Sequence, residues 1–415
     1  MILCAVSDLE PGMEVGGSVP HPRRPQTELL RPGVTLDSRM IRYLHRLGVN
    51  ELWVHHEATD DLDPAVAANL SQARLAVYGQ LKTDLGRLSR ATISTSQVQV
   101  YRQAVTGLVF ELISSGKYAH LSHALLADPT HVFTHSANVA YLSVLVGLEL
   151  EAYVMKQRQR LAPEHARDVV PLGLGAMLHD IGKLGLKEAV RRHHEIRPEP
   201  NGQEVLEAYH DHTLRGYRKL RETRLPATAR QVVLNHHQRF DGSGWPDQAA
   251  SVGRDLSEPQ RATGIHIFSR IVAAANVLDN LLYDASGRKR PTVEALSEFH
   301  GSRFEGWFDP MVRDLMIRRI PPFPIGSLVR LSNDEQAVVT APSFHQPCQP
   351  TVRLIDGRCG DDPGEHPVID LAQEEGLFIT EGAGRRVERH LFELPDPPPR
   401  RQARDDESTP RKKTA

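Results

Sequence analysis

The residues of this 415-residue chain with the clearest capacity for chemistry are His135, His179, Asp180, His212, His236 and His237. Imidazole nitrogens and carboxylate oxygens are ligands for divalent transition metals. The adjacent pair His179–Asp180 can occupy neighbouring vertices of one ion, and a carboxylate can also bridge two. Lys183, three residues on, adds a point charge able to meet a phosphate. Two divalent ions lower the pKa of bound water and polarise phosphoryl oxygens, which is the chemistry of phosphodiester hydrolysis. The chain has 21 histidines, so number alone means little and spacing must decide. His135 alone reads as a polar residue at a helix start, and His236–His237 alone as a solvated turn. Together with an intact HDIGK run, the metal reading outweighs both.

The segments that must position these residues are helical. GLGAMLHDIGKLGL is a small-residue, apolar stretch with the His–Asp pair at its polar end, as at the end of a buried helix. THSANVAYLSVLVG predicts an amphipathic helix starting near His135. YHDHTLRGYRKL carries His212 four residues before Gly216, and SRIVAAANVLDNL carries Asn276. In VVLNHHQRFDGSGWP, Gly242 and Gly244 permit positive φ and Pro246 stiffens the exit, which predicts a tight loop.

In chain order these are the landmarks of the HD superfamily, and HHQRFDGSGWP resembles the HHExxDGxGYP signature of its HD-GYP branch. The resemblance covers roughly residues 120–320. It is supported more softly by DLEPGMEVGGSV and ELWV near the N-terminus and by PIGSLVRLSNDEQAVV after residue 320. It implies a helical bundle holding two metals bridged by Asp180. His135, His179, Asp180 and Asn276 would hold one; Asp180, His212, His236 and His237 would hold the other. The resemblance favours iron or manganese, with zinc possible. It implies a cyclic dinucleotide substrate, cyclic di-GMP before others. Asp180 and Lys183 would be catalytic, and Lys183, Gly242, Gly244, Trp245 and Arg288 would contact substrate. A diguanylate cyclase domain or a second copy of the chain is the implied protein partner.

The sequence departs from the family pattern in three places. Asn276 replaces an aspartate. Ala285 stands where an arginine is expected, leaving Arg288, Lys289 or Arg290 as substitutes. Gln238 and Trp245 replace a glutamate and a tyrosine. These departures set two readings against each other: an active cyclic di-GMP phosphodiesterase, or a degenerate homologue that senses the nucleotide or a partner domain. A third, a hydrolase of another phosphorylated nucleotide, is disfavoured by the GSGWP loop.

The fold class expected is mainly α, an HD-type bundle with a small N-terminal α/β unit and a C-terminal small β-barrel or sheet domain. The divisions are 1–62 for the α/β unit, 63–118 for a helical connector, 119–320 for the HD-GYP-like domain, 321–392 for the β domain and 393–415 for a disordered, proline-rich, charged tail. Asp37 is the expected N-cap of a helix that Gly48 ends. A net charge of -2 argues against a binder of duplex nucleic acid or of membrane surfaces. Cys4, Cys348 and Cys359 are scattered and odd in number, which fits a reducing, cytoplasmic setting. The longest apolar stretch, Val139 to Leu150, is shorter than the ~20 residues a membrane span needs.

Overall fold

The computed structural model describes every residue except 22–23, 50, 60–72, 75, 85–92, 115–131, 189, 191–194, 197–202, 247–259, 285–288, 356–365 and 396–415. Among the described residues the chain is mainly helical, with strands confined to its two ends.

The N-terminal unit pairs β1 (Ile2–Ala5) with β4 (Glu51–Val54) in antiparallel register, Ile2 opposite Val54. Between them run a ribbon of β2 (Val19–His21) and β3 (Arg24–Leu30) and the helix Ser38–Leu47. Asp37 caps that helix by accepting from the Met40 amide, and Gly48 ends it in the left-handed region at φ 78°. The connector is helical over 76–84 and again over Thr95–Ser114, which buries Val98, Tyr101, Val105, Leu108 and Leu112.

The central bundle is built around three helices with little or no polar outer face. Val170–Leu178 has Pro171 in its first turn and is buried from Pro171 to Leu178. Ile267–Leu281 is buried at every position. Val132–Glu149 is buried continuously over 133–147. The expectation of an amphipathic helix after His135 is therefore corrected: this helix is wrapped on all sides, as an apolar all-round helix must be. Gln203–Leu220, Ala227–Asn235, Thr292–His300 and Pro310–Arg319 pack around the three. One continuous core joins them to the connector. No single described helix is long and apolar enough to cross a membrane.

After Pro321–Pro324 the chain forms an antiparallel six-stranded open sheet, not a closed barrel. Its strands are β5 (Leu328–Leu331), β6 (Gln336–Ala341), β7 (Thr351–Leu354), β8 (Val368–Asp370), β9 (Ile379–Gly382) and β10 (Arg385–Arg386). Their order is β10-β9-β5-β6-β7-β8. Val338 of this sheet lies in the N-terminal core, and Val293 of the bundle lies in the sheet's core. The Leu3 amide donates to the Gly326 carbonyl at 2.6 Å.

Candidate metal centre

Gly182 sets the geometry of the site. The Val170–Leu178 helix ends just before His179, and Ile181–Lys183 makes one 3-10 turn against the Gln203–Leu220 helix. A Cβ on Gly182 would lie 1.8 Å from the His212 carbonyl oxygen and 2.7 Å from the Gly216 nitrogen. Only glycine allows this approach, and it carries Asp180 to His212. Gly244 acts in the same way in the following loop, where a Cβ would meet the His237 carbonyl at 2.2 Å. Gly242 has φ +89°, as its loop predicts, whereas Gly244 is required for close approach and not for a positive φ.

The six His and Asp residues that the resemblance implies as ligands converge. Two groups have ligand atoms within 4.8 Å of one another: His135, His179 and Asp180, and His212, His236 and His237. All are buried, His179 and His212 completely. Asn276 joins the first group, its Oδ1 being 2.8 Å from His135 Nε2.

The hydrogen bonds fix which nitrogen of each ring faces inward. His179, His212 and His236 each place Nδ1 on the carbonyl oxygen three residues earlier: Ala176 at 2.7 Å, Tyr209, and Val233 at 3.0 Å. His135 Nδ1 lies 2.7 Å from Asp279 Oδ2, and His237 Nδ1 lies 2.8 Å from Glu195 Oε2. A carbonyl or carboxylate oxygen only accepts, so the rings of His179, His212, His236 and His237 carry the proton on Nδ1 and point an Nε2 lone pair inward; His135 has an acceptor at each nitrogen, Asp279 Oδ2 and Asn276 Oδ1. The spacing of these atoms then matters. His135 Nε2 is 3.2 Å from His179 Nε2, and His212 Nε2 is 3.2 Å from both His236 Nε2 and Asp180 Oδ1. Facing lone pairs at such distances need a proton or a cation between them. Ligands about 2.1 Å from one ion sit roughly 3.0 Å apart at right angles and about 3.4 Å apart in a tetrahedron. The observed separations match that range. Asp180 Oδ1 is buried without an aligned hydrogen bond among the described residues, as suits an oxygen that serves as a metal ligand. The donor set therefore fits divalent metal.

Electrostatics prepare the same atoms. Burial pushes His179 and His237 well below the usual histidine range, lowers His236, and brings His212 down to about 4. These rings are neutral near pH 7, the form that ligates. Burial alone would raise Asp180, but Lys183 and the surrounding imidazoles outweigh it and hold the carboxyl well below its ordinary value.

A family model described as HD domain matches residues 121–312. Over these residues the chain is similar to the HD domain family. The chain is 24% identical over 372 residues to a Pseudomonas aeruginosa protein named cyclic di-GMP phosphodiesterase, covering 83% of this chain and 82% of that one. It is 29% identical over 147 residues to the cyclic di-GMP phosphodiesterase response regulator RpfG of Xanthomonas campestris, covering 35% of each. A solved HDG"Y"P protein of Bdellovibrio bacteriovorus superposes with a TM-score of 0.43 at 15% identity, over 76% of this chain and 99% of that one.

Other residues of the matched segment sit differently from expectation. Lys183 is buried, and its Nζ is 2.7 Å from Asp180 Oδ2 and 4.8 Å from the centre of the Tyr209 ring. Trp245 stacks on His237, with ring centroids 4.2 Å apart at 14°, and lies 4.4 Å from the exposed His210 ring. Gln238 turns away from the site and donates to the Pro246 carbonyl at 2.6 Å. Lys289 pairs with Glu51 of the N-terminal unit, and Arg290 with Glu294 and Glu298, so neither points its charge at the cluster. Arg288 and Ala285 lie outside the described residues.

Three contributors are new. Asp279 and Asn138 stand one helical turn beyond Asn276 and His135, and Asn138 Nδ2 donates to Asp279 Oδ1 at 3.0 Å. That i, i+3 spacing was a signal available in the sequence. Glu195 comes from a loop with no periodic pattern, and nothing local in the sequence marks it.

Proposed function

We propose that this protein is a metal-dependent phosphodiesterase acting on a cyclic dinucleotide, with cyclic di-GMP the first candidate. The observation that supports it most is the convergence of the Nε2 atoms of His135, His179, His212 and His236 within 4 Å of Asp180, with His237 beside His212 and His236. His135, His179, Asp180 and Asn276 would hold one ion and Asp180, His212, His236 and His237 a second; the nitrogen and carboxylate donors suit iron, manganese or zinc. Ions bound there supply acidified water and polarise the phosphoryl oxygens. The chain's own residues do the rest. Nδ1 hydrogen bonds keep the rings of His179, His212, His236 and His237 in the ligating tautomer, and the apolar helices around the cage exclude bulk water. Lys183 places a positive charge beside Asp180, where a phosphodiester would sit. Trp245 orders the loop across His237, and its indole Nε1 is buried with no partner among the described residues, leaving a donor for substrate. Gly242 and Gly244 let that loop close tightly, and Arg288 remains a candidate phosphate contact. Water adds across one P–O bond, the 3′-oxygen leaves with a proton, and a linear dinucleotide results. The names of the relatives support the substrate class.

Asn276 favours a second reading, a sensor or scaffold with little turnover, because an amide brings no charge to the first ion. Purification without oxygen, followed by hydrolysis of cyclic di-GMP in manganese or ferrous iron, separates the two. Native protein should cleave the nucleotide, and His179→Ala/Asp180→Ala should lose both metal and cleavage while keeping its helical spectrum. Binding without cleavage by native protein would favour the sensor; cleavage by the double variant would place the activity elsewhere.

A further inference from the structure

The five histidines are not oriented in the same way. His179, His212 and His236 take their Nδ1 acceptor from the backbone three residues earlier, so the local helix or turn fixes the ring. His135 and His237 have no such local acceptor and depend on carboxylates distant in sequence, Asp279 and Glu195. One carboxylate-backed ring falls in each of the two ligand groups.

We propose that Glu195 is the positioning residue for His237 and thereby sets the affinity of the ion held by His212, His236 and His237. This inference rests on the metal-centre reading. Glu195 divides its two oxygens: Oε2 takes His237 Nδ1, while Oε1 accepts from Arg239 Nε at 3.1 Å and Nη2 at 2.6 Å. Arg239 is itself seated 3.3 Å from the centre of the Trp307 ring, and its Nη1 reaches Ser243 Oγ at 3.4 Å in the Gly-rich loop. The Glu195 amide donates to the Tyr209 hydroxyl at 3.3 Å, and the neighbouring Ile196 is buried, with its carbonyl accepting from Arg303. The carboxylate is thus held by His237 and Arg239 and the backbone beneath it by Tyr209 and Arg303, with a side chain 7% exposed. Gln238, at the position where a glutamate would be expected, is engaged with Pro246, so Glu195 is the carboxylate that raises the basicity of this half of the cage. A carboxylate on the outer nitrogen fixes the tautomer and strengthens the histidine as a ligand.

The test uses the full chain and manganese alone, titrated by equilibrium dialysis into native protein, Glu195→Ala, Glu195→Gln and Glu195→Ala/Asp279→Asn, with melting curves for each. Glu195→Ala should weaken one ion about 10–100-fold and leave the other unchanged. Glu195→Gln keeps an acceptor for Nδ1 and should recover part of that loss. The double variant should weaken both ions, since each carboxylate backs a different group. If Glu195→Ala holds both ions as tightly as native protein, or if one ion stays tight in the double variant, the proposal is overturned. An equal loss of both ions in Glu195→Ala with a lowered melting temperature would make Glu195 merely structural, which also overturns it. Native protein that binds no manganese would bring down the metal-centre reading itself, recognisably apart from these outcomes.

Discussion

At the scale of single residues, the account turns on the charge around two closely spaced ions. Asp180 is the carboxylate that faces both ligand groups, Asp279 and Glu195 stand behind one histidine each, and Asn276 adds none. An amide oxygen ligates a divalent cation less strongly than a carboxylate does, so the His135 ion should be the looser of the two. Asn276→Asp places an anion 2.8 Å from His135 Nε2 and should raise occupancy of that ion after dialysis. Metal stoichiometry of both proteins, measured side by side, checks this; equal and tight occupancy in native protein would show that the amide suffices. HDIGK and HHQRFDGSGWP made His179, Asp180, His236 and His237 legible as short motifs, while His135 and His212 were legible only through the resemblance to the HD superfamily. Glu195 was not legible, because its partner lies 42 residues away, beyond the helices Gln203–Leu220 and Ala227–Asn235. The role of Lys183 was half legible: its neighbourhood to Asp180 follows from spacing, whereas its burial as an ion pair follows from the 3-10 turn.

At the scale of elements, two features hold the cage in place. The first is the contact between the 181–183 turn and the Gln203–Leu220 helix. Gly182→Ala puts a methyl group against backbone rather than a movable side chain, so the turn must lift. The cost should reach or exceed the roughly 1–3 kcal/mol usual for overpacking, and His212 should separate from Asp180. A lowered melting temperature together with lost metal is expected; loss of neither would mean that the two elements part freely. The second feature is the start of the Ile267–Leu281 helix, which carries Asn276 and Asp279. His266 caps it by accepting from the Phe268 amide at 3.2 Å, which requires an unprotonated ring. Burial, with Arg158 and Arg270 nearby, lowers His266 to about 4. The unfolded ring, with its ordinary pKa near 6.5, therefore binds a proton that the folded one refuses over that interval. Stability should be fully present above about pH 6.5, decline as the pH falls towards 4, and level off below. His266→Asn, a capping residue that does not titrate, should flatten part of this slope in melting curves taken across pH; an unchanged slope would assign the acid sensitivity elsewhere. The helices were readable from their apolar stretches. That they are buried on all sides was not, because an apolar face in sequence does not say how many neighbours will cover it.

At the scale of the whole molecule, three cores share residues at their borders. Val338 of the β sheet completes the N-terminal core, and Val293 of the bundle completes that of the sheet. Lys289 and Glu51 tie the N-terminal unit to the segment after the Asn276 helix, 2.7 Å apart and mostly buried. The strands were legible as alternating or apolar runs bounded by turns, but their docking was not: it depends on contacts such as Leu3 to Gly326 that join opposite ends of the chain. Leu52→Ala, in the N-terminal core and remote from the cage, should cost about 2–5 kcal/mol of stability. Metal stoichiometry should not change. A loss of metal in this variant would show that the N-terminal unit helps to hold the site.

The central claim is that the His and Asp residues of the bundle form one cage for two divalent ions sharing Asp180. Anomalous diffraction at the metal absorption edge, from crystals of anaerobically purified protein, tests it most directly. The account predicts two peaks on either side of Asp180, one contacted by His135 and His179 and the other by His212, His236 and His237, the first with the lower occupancy. A metal-replete crystal with no peak at Asp180, or with the His212 group turned away from it, would contradict the account.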